Sequence, residues 1–150
     1  MLFELDSTDG EWFQFFGSHI DDNGEVVYDD PDPSARVQVR SMKPFFEEKL
    51  KSRKRVVEHV LNPSTRQMER ISYLEEIGPG ESIKQMEDAY DYAITGLEGF
   101  KNKRDKSIIE CTRENKIALM KNPAFDRFFA KCQALLETDA VVQAETEEKN

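Results

Sequence analysis

The apolar positions of this chain switch from a period of two to a period near 3.6 at about residue 41. In residues 35–40, Ala35, Val37 and Val39 fall on one side and Arg36, Gln38 and Arg40 on the other, the alternation of a half-buried strand. Upstream, residues 2–6 read as a short strand, Thr8, Asp9 and Gly10 as a turn, and residues 11–16 as an aromatic, β-prone segment. Period two sets Trp12, Gln14 and Phe16 on one face and Phe13 and Phe15 on the other, one face for the helices and one for a partner. Asp22, Asn23 and Gly24 supply a tight turn, and residues 25–28 are the returning strand. Pro31 and Pro33 interrupt pairing because proline lacks an amide donor.

After residue 41 the pattern predicts helices. Ser41 is a cap and Pro44 a first-turn residue for a helix running to about Leu61, with Phe45, Phe46, Leu50, Val56, Val57, Val60 and Leu61 as its apolar positions. Asn62 and Pro63 end it, and Ser64 or Thr65 caps a second helix carrying Met68, Ile71, Tyr73, Leu74 and Ile77. Gly78, Pro79 and Gly80 stop that one. A third begins at Glu81 or Ser82 and packs through Ile83, Met86, Ala89, Tyr90, Ala93, Ile94 and Leu97. Next come a charged loop (101–106), an extended step at Ile108 and Ile109, and a helix capped by Thr112. Pro123 opens a last helix packed through Ala124, Phe125, Phe128, Phe129, Cys132, Leu135 and Leu136.

The fold expected is therefore α+β: a short N-terminal antiparallel β segment followed by a compact bundle of four or five helices. Residues 1–42 form the β-rich acidic segment, 43–139 the helical core, one domain with the preceding segment, and 140–150 a flexible tail. A length of 150 residues suits one domain, and fifteen aromatic residues (ten Phe, four Tyr, one Trp) argue against a disordered chain. No apolar run is long enough to span a bilayer, and the N-terminus lacks the basic flank of a signal peptide, so a cytoplasmic location is expected.

Charge is distributed unevenly. Residues 1–34 hold ten acidic residues and no Lys or Arg, whereas residues 36–55 hold eight basic and two acidic ones. Such a dipolar layout serves either solubility and internal attraction or an oriented docking surface. Catalytic chemistry finds little to stand on. Cys111 and Cys132 lack metal-site or redox spacing, His19 and His59 have no partners in sequence, and adjacent Ser18 and His19 do not make a nucleophile–base pair. The acidic stretches at 21–24 and 29–32 fail the spacing of a calcium-binding loop and suit turns. Gly78–Gly80 lacks the Lys-Ser/Thr of a phosphate loop. Neither enzyme, cofactor nor metal is expected. Arg53, Lys54 and Arg55 invite a nucleic-acid reading, but the chain is acidic overall and no aromatics interleave with them.

The order of elements resembles the small tail assembly chaperones of long-tailed bacteriophages and prophages. Residues 35–40 followed by Ser41, Met42, Lys43, Pro44, Phe45 and Phe46 are similar to that family's arginine-containing strand and helix start. Residues 90–100 resemble its helix ending in a glycine–aliphatic–glutamate–glycine step, here Gly96, Leu97, Glu98 and Gly99. Cys111, Thr112, Arg113, Glu114 and Asn115 look like its threonine–x–glutamate–asparagine helix start, and Asn122–Phe129 like its final docking helix. The match is best over residues 83–137. It departs at the long acidic segment of residues 9–33, and at Leu97, where the family usually has tryptophan.

The resemblance implies a non-catalytic protein-binding factor in the bacterial host cytoplasm, acting in viral assembly and engaging the tape-measure protein, tail-tube subunits or both. Alternatives are a structural tail-completion or joint protein retained in the virion, and a small nucleic-acid-associated regulator. Self-association would suit an assembly chaperone, which engages extended or repeated partners, because several weak sites on one assembly raise effective affinity. The expected protein-binding surface is Phe45, Phe46, Lys49, Leu50, Lys51 and Arg53, an apolar helix start beside basic side chains that would draw an acidic partner segment. The other reading of these residues is two phenylalanines anchoring the helix and solvated charges. Alanine at Lys49, Lys51 and Arg53 is expected to leave folding unchanged on either view.

Overall fold

The clean alternation of residues 35–40 becomes the middle strand of the main sheet. A computed structural model of the chain describes the backbone of residues 10–149 and the side chains of residues 10–138, so the strand expected at residues 2–6 lies outside the described residues. The elements run β1 (Glu11–Gln14), β2 (Ser18–Ile20), β3 (Val26–Tyr28), β4 (Arg36–Val39), α1 (Lys43–Ser52), β5 (Arg55–Leu61), β6 (Met68–Leu74), α2 (Pro79–Ala93), β7 (Ile94–Glu98), α3 (Arg113–Met120) and α4 (Pro123–Lys149). The sheet has the order β1-β4-β7 with both pairs antiparallel, while β2-β3 and β5-β6 are separate two-stranded hairpins.

This architecture corrects the expected one. Among the described residues, seven strands are interleaved with four helices; the β structure is not confined to the N-terminal segment, and residues 43–139 are not a helix bundle. The long helix to Leu61 stops at Ser52, and residues 55–74 form a hairpin in seven-residue register, Arg55 opposite Leu74 and Leu61 opposite Met68. The physical reason is local. Val56, Val57 and Val60 are β-branched and favour a pleated backbone. Asn62, read as a helix stop, instead organises a turn: its side-chain carbonyl accepts from the Ser64 amide at 2.9 Å, and its backbone carbonyl from Arg66, which takes φ 57°.

The third expected helix is likewise divided. It ends at Ala93, and residues 94–98 pair with β4, Leu97 opposite Val37 and Ile94 opposite Val39, with an irregularity at Gln38/Val39. Its expected stripe holds only in part: Ala89, Tyr90 and Ala93 are buried, but Ile83 and Met86 are exposed.

The core lies on one face of the sheet. Val37, Val39 and Ile94 meet Tyr90 and Ala93 of α2 and Phe125, Phe128, Phe129 and Cys132 of α4. Tyr90 stacks on Phe129 at 4.1 Å between centroids, and its hydroxyl donates to Asp126. Burial, reinforced by that carboxylate, pushes the Tyr90 phenol far above its ordinary value. β1 ends at Gln14, so the alternation does not reach Phe16: both Phe15 and Phe16 turn inward, each 5.1 Å from Phe128. The opposite sheet face carries Trp12 under the Arg36 guanidinium (4.2 Å), which also bonds Glu98 at 2.6 Å.

α3 is tied to α2 by charge. Lys116, nearly enclosed, donates to the Asp91 carbonyl at 3.0 Å and its carboxylate at 3.1 Å, and Arg113 bridges Asp88 and Asp91. Partial burial works against the Asp91 carboxylate, but the bonds from Lys116 and Arg113 outweigh it and hold its pKa below the ordinary value. Thr112 caps α3, accepting from the Asn115 amide. The α4 backbone continues as helix to Lys149, through most of the stretch assigned from sequence to a tail.

Candidate functional site

The residues singled out as a docking surface all lie on α1 or at its C-terminal end, and the way α1 is attached explains their setting. The link between β4 and α1 is held on two sides. Arg40 donates its amide to the Ala93 carbonyl (2.9 Å) and its Nε to the Tyr92 carbonyl (2.7 Å), and its guanidinium lies 3.8 Å over the Tyr92 ring. From the other side, the buried Gln133 of α4 accepts from the Met42 amide and donates to the Arg40 carbonyl, both at 3.0 Å. Phe45 then rests against Tyr92 at 5.6 Å and against Phe46 at 5.4 Å. Beyond this anchorage the helix stands off the core: none of its residues is buried.

That arrangement opens a groove of about 400 Å³ between α1 and α4, lined by Met42, Phe46 and Leu50 with Lys43, Glu47, Gln133 and Glu137 at its margins. Phe46 and Leu50 also face a smaller recess of about 220 Å³ toward Ile77 and Gln85. The two phenylalanines thus divide their tasks, Phe45 packing on Tyr92 while Phe46 lines the open groove; both are half-buried. Leu50 is 53% exposed, an apolar side chain that the described residues leave largely open to solvent.

The basic residues do not act as one group. Lys49 lies 5.6 Å over the Phe45 ring, and Lys51 is exposed. Arg53 is different. Its guanidinium donates to the Glu75 carbonyl through Nε at 3.1 Å and through a second nitrogen, fastening the end of α1 to the root of the β5-β6 hairpin. The expectation that alanine at Arg53 leaves the structure untouched therefore does not suit this residue. Arg55 bonds Ser72, so of the three cations in the nucleic-acid reading two are turned to internal contacts.

Gln133 is the residue that sequence reasoning missed. A lone polar position among Cys132, Leu135 and Leu136 carries no motif, and only its two backbone partners, more than ninety residues away, reveal its task. Replacing Gln133→Leu should remove its hydrogen bonds to the Met42 amide and the Arg40 carbonyl and cost about 1–3 kcal/mol. Hydrogen exchange should accelerate in residues 42–53 more than in β4 or α2; uniform acceleration would show that the side chain does not specifically hold α1.

Ser18, His19, Asp21 and Asp32 are engaged in local or structural contacts. Ser18 Oγ accepts from Arg127 at 2.6 Å, whereas His19 Nδ1 lies 3.3 Å from Asp29. Asp21 accepts from the amides of Asn23 and Glu25, and Asp32 from Ser34, the bonds of turn-forming carboxylates. Burial raises the thiol pKa of Cys111 and pushes that of Cys132 up to about 12. Among the described residues no cluster of His, Cys, Asp and Glu has metal-binding geometry, and no helix is long and apolar enough to cross a membrane. No family model, curated protein or solved structure matches this chain.

Proposed function

We propose that this chain is a non-catalytic protein-binding factor that receives an amphipathic helix of its partner in the groove between α1 and α4. The observation that carries this reading is the partly open apolar strip of Met42, Phe46 and Leu50, set on a helix that is fastened at its start and has no buried residue. Helix-in-groove recognition requires a row of apolar contacts with polar margins, which is the composition of this groove. Joined to the resemblance of residues 83–137, it suggests a tail-assembly role, with the long helical tape-measure protein as first partner and tail-tube subunits as second. Lys49 and Lys51 line separate recesses that share Leu50 with the groove, and there they favour an acidic segment of the partner flanking its docked helix.

The test is association with tape-measure and tail-tube proteins at low and moderate salt. Leu50→Asp, at an exposed position, should keep the fold and weaken binding roughly 10- to 100-fold, about 1.4–2.8 kcal/mol. The double variant Lys49→Ala/Lys51→Ala should weaken it less and flatten its salt dependence. No association of the unaltered chain with either protein at either salt would count decisively against the reading.

A retained structural component of the virion is the second reading, favoured by the β5-β6 hairpin, whose apolar side chains stay exposed on both faces. Mass spectrometry of purified particles separates the two: stoichiometric presence supports the structural role and absence the chaperone.

A further inference from the structure

The β5-β6 hairpin is the least supported element of the fold. Of its fourteen strand residues only Val56 and Leu74, both at the root, are half-buried; the others are exposed. A lone two-stranded hairpin is at best marginal in water. This one nevertheless exposes Val57, Val60, Leu61, Met68, Ile71 and Tyr73.

The register sorts these side chains onto two faces, since directly opposed residues share a side. One face joins Val56 with Tyr73, Glu58 with Ile71, and Val60 with Glu69. Its charges are two carboxylates, Glu58 and Glu69. The other joins Arg55 with Leu74, Val57 with Ser72, His59 with Arg70, and Leu61 with Met68. Its permanent charges are two guanidiniums, Arg55 and Arg70. Each face is thus apolar with charge of a single sign, and the two signs are opposite. The partner that matches both faces at once is another copy of the same hairpin.

We infer that the chain self-associates head to tail, the acidic face of one hairpin stacking on the basic face of the next copy. Stacked sheets sit about 10 Å apart, close enough for the valines, Ile71 and Tyr73 of one face to meet Val57, Leu61 and Met68 of the other. Because the two faces differ, the contact is heterologous and does not stop at two copies; it closes into a ring or extends as a filament. The inference rests on the hairpin alone, independently of the α1–α4 groove.

Light scattering on the purified full chain across a concentration series tests it. The apparent mass should rise beyond twice the 17.4 kDa of one chain. Glu58→Arg/Glu69→Arg makes both faces basic, and Arg55→Glu/Arg70→Glu makes both acidic; each variant alone should remain monomeric. An equimolar mixture should assemble again, because each variant then presents a face complementary to the other, and this recovery also shows that neither variant is merely unfolded. A monomeric unaltered chain at all concentrations, charge-reversed variants that assemble as the unaltered chain does, or a mixture that fails to recover would each overturn the inference.

Discussion

Replacing Phe128→Ala should cost about 3–5 kcal/mol, the largest single-residue effect expected in this chain. The side chain is 1% exposed and meets Phe15, Phe16 and Phe125 with centroids 5.1, 5.1 and 5.9 Å away. It therefore joins α4 to the segment after β1. Removing the ring leaves a cavity that three rigid aromatics cannot collapse to fill. Against a total stability of about 5–15 kcal/mol, such a loss brings the fold near its limit. The unfolding midpoint should fall by roughly 6–20 °C. By comparison, Leu135→Ala on the same helix, at an exposed position, should shift it little. A Phe128→Ala midpoint close to that of the unaltered chain would mean that the aromatic cluster does not hold α4 in place.

Gly99→Ala should come next, at about 2–5 kcal/mol, from backbone strain and overpacking together. Gly99 has φ 82°, a conformation that side chains rarely adopt, and an added methyl would collide with the Ser34 carbonyl at the entry to β4. Both parts are backbone, so relief requires β4 and β7 to separate. Gly24→Ala isolates the conformational part: its φ is 80° but nothing lies within 4 Å of the added carbon. That variant should lose only about 1 kcal/mol. Chemical denaturation of the two compares them directly. Equal losses would show that the close approach of residues 34 and 99 is unimportant.

Legibility in the sequence depended on how local each signal is. The alternation of Ala35, Val37 and Val39 was legible because one face is buried and the other solvated, the condition under which period two appears. Thr112 and Pro123 were legible as helix starts because caps and N-terminal prolines act over three or four residues. The β5-β6 hairpin was not, because Val56, Val57, Val60 and Leu61 satisfy helical spacing as well as β propensity, and Asn62 with Pro63 can end a helix or open a turn. The hairpin also lacks a buried face, so no clean alternation betrays it. Residues 94–98 were hidden for a different reason: Ile94 and Leu97 extend the helical stripe of α2, and only pairing with β4 turns them into a strand. Phe16 misled because its strand stops two residues earlier.

The candidate site was legible as composition and illegible as attachment. Phe45, Phe46 and Leu50 beside basic residues mark a surface helix with apolar positions to spare. The sequence does not show that Tyr92 takes one phenylalanine, that Gln133 fixes where α1 begins, or that Arg53 is engaged by Glu75. Those contacts join residues 22 to 93 positions apart, beyond any local pattern.

Hydrogen–deuterium exchange of the chain with and without a tape-measure protein, the partner proposed above, tests the groove most directly, since it reports both whether and where that protein lies. Binding in the groove predicts slowed exchange in residues 42–53 and 133–137, with the main sheet unchanged. Association accompanied by protection elsewhere and none in those two segments would contradict it.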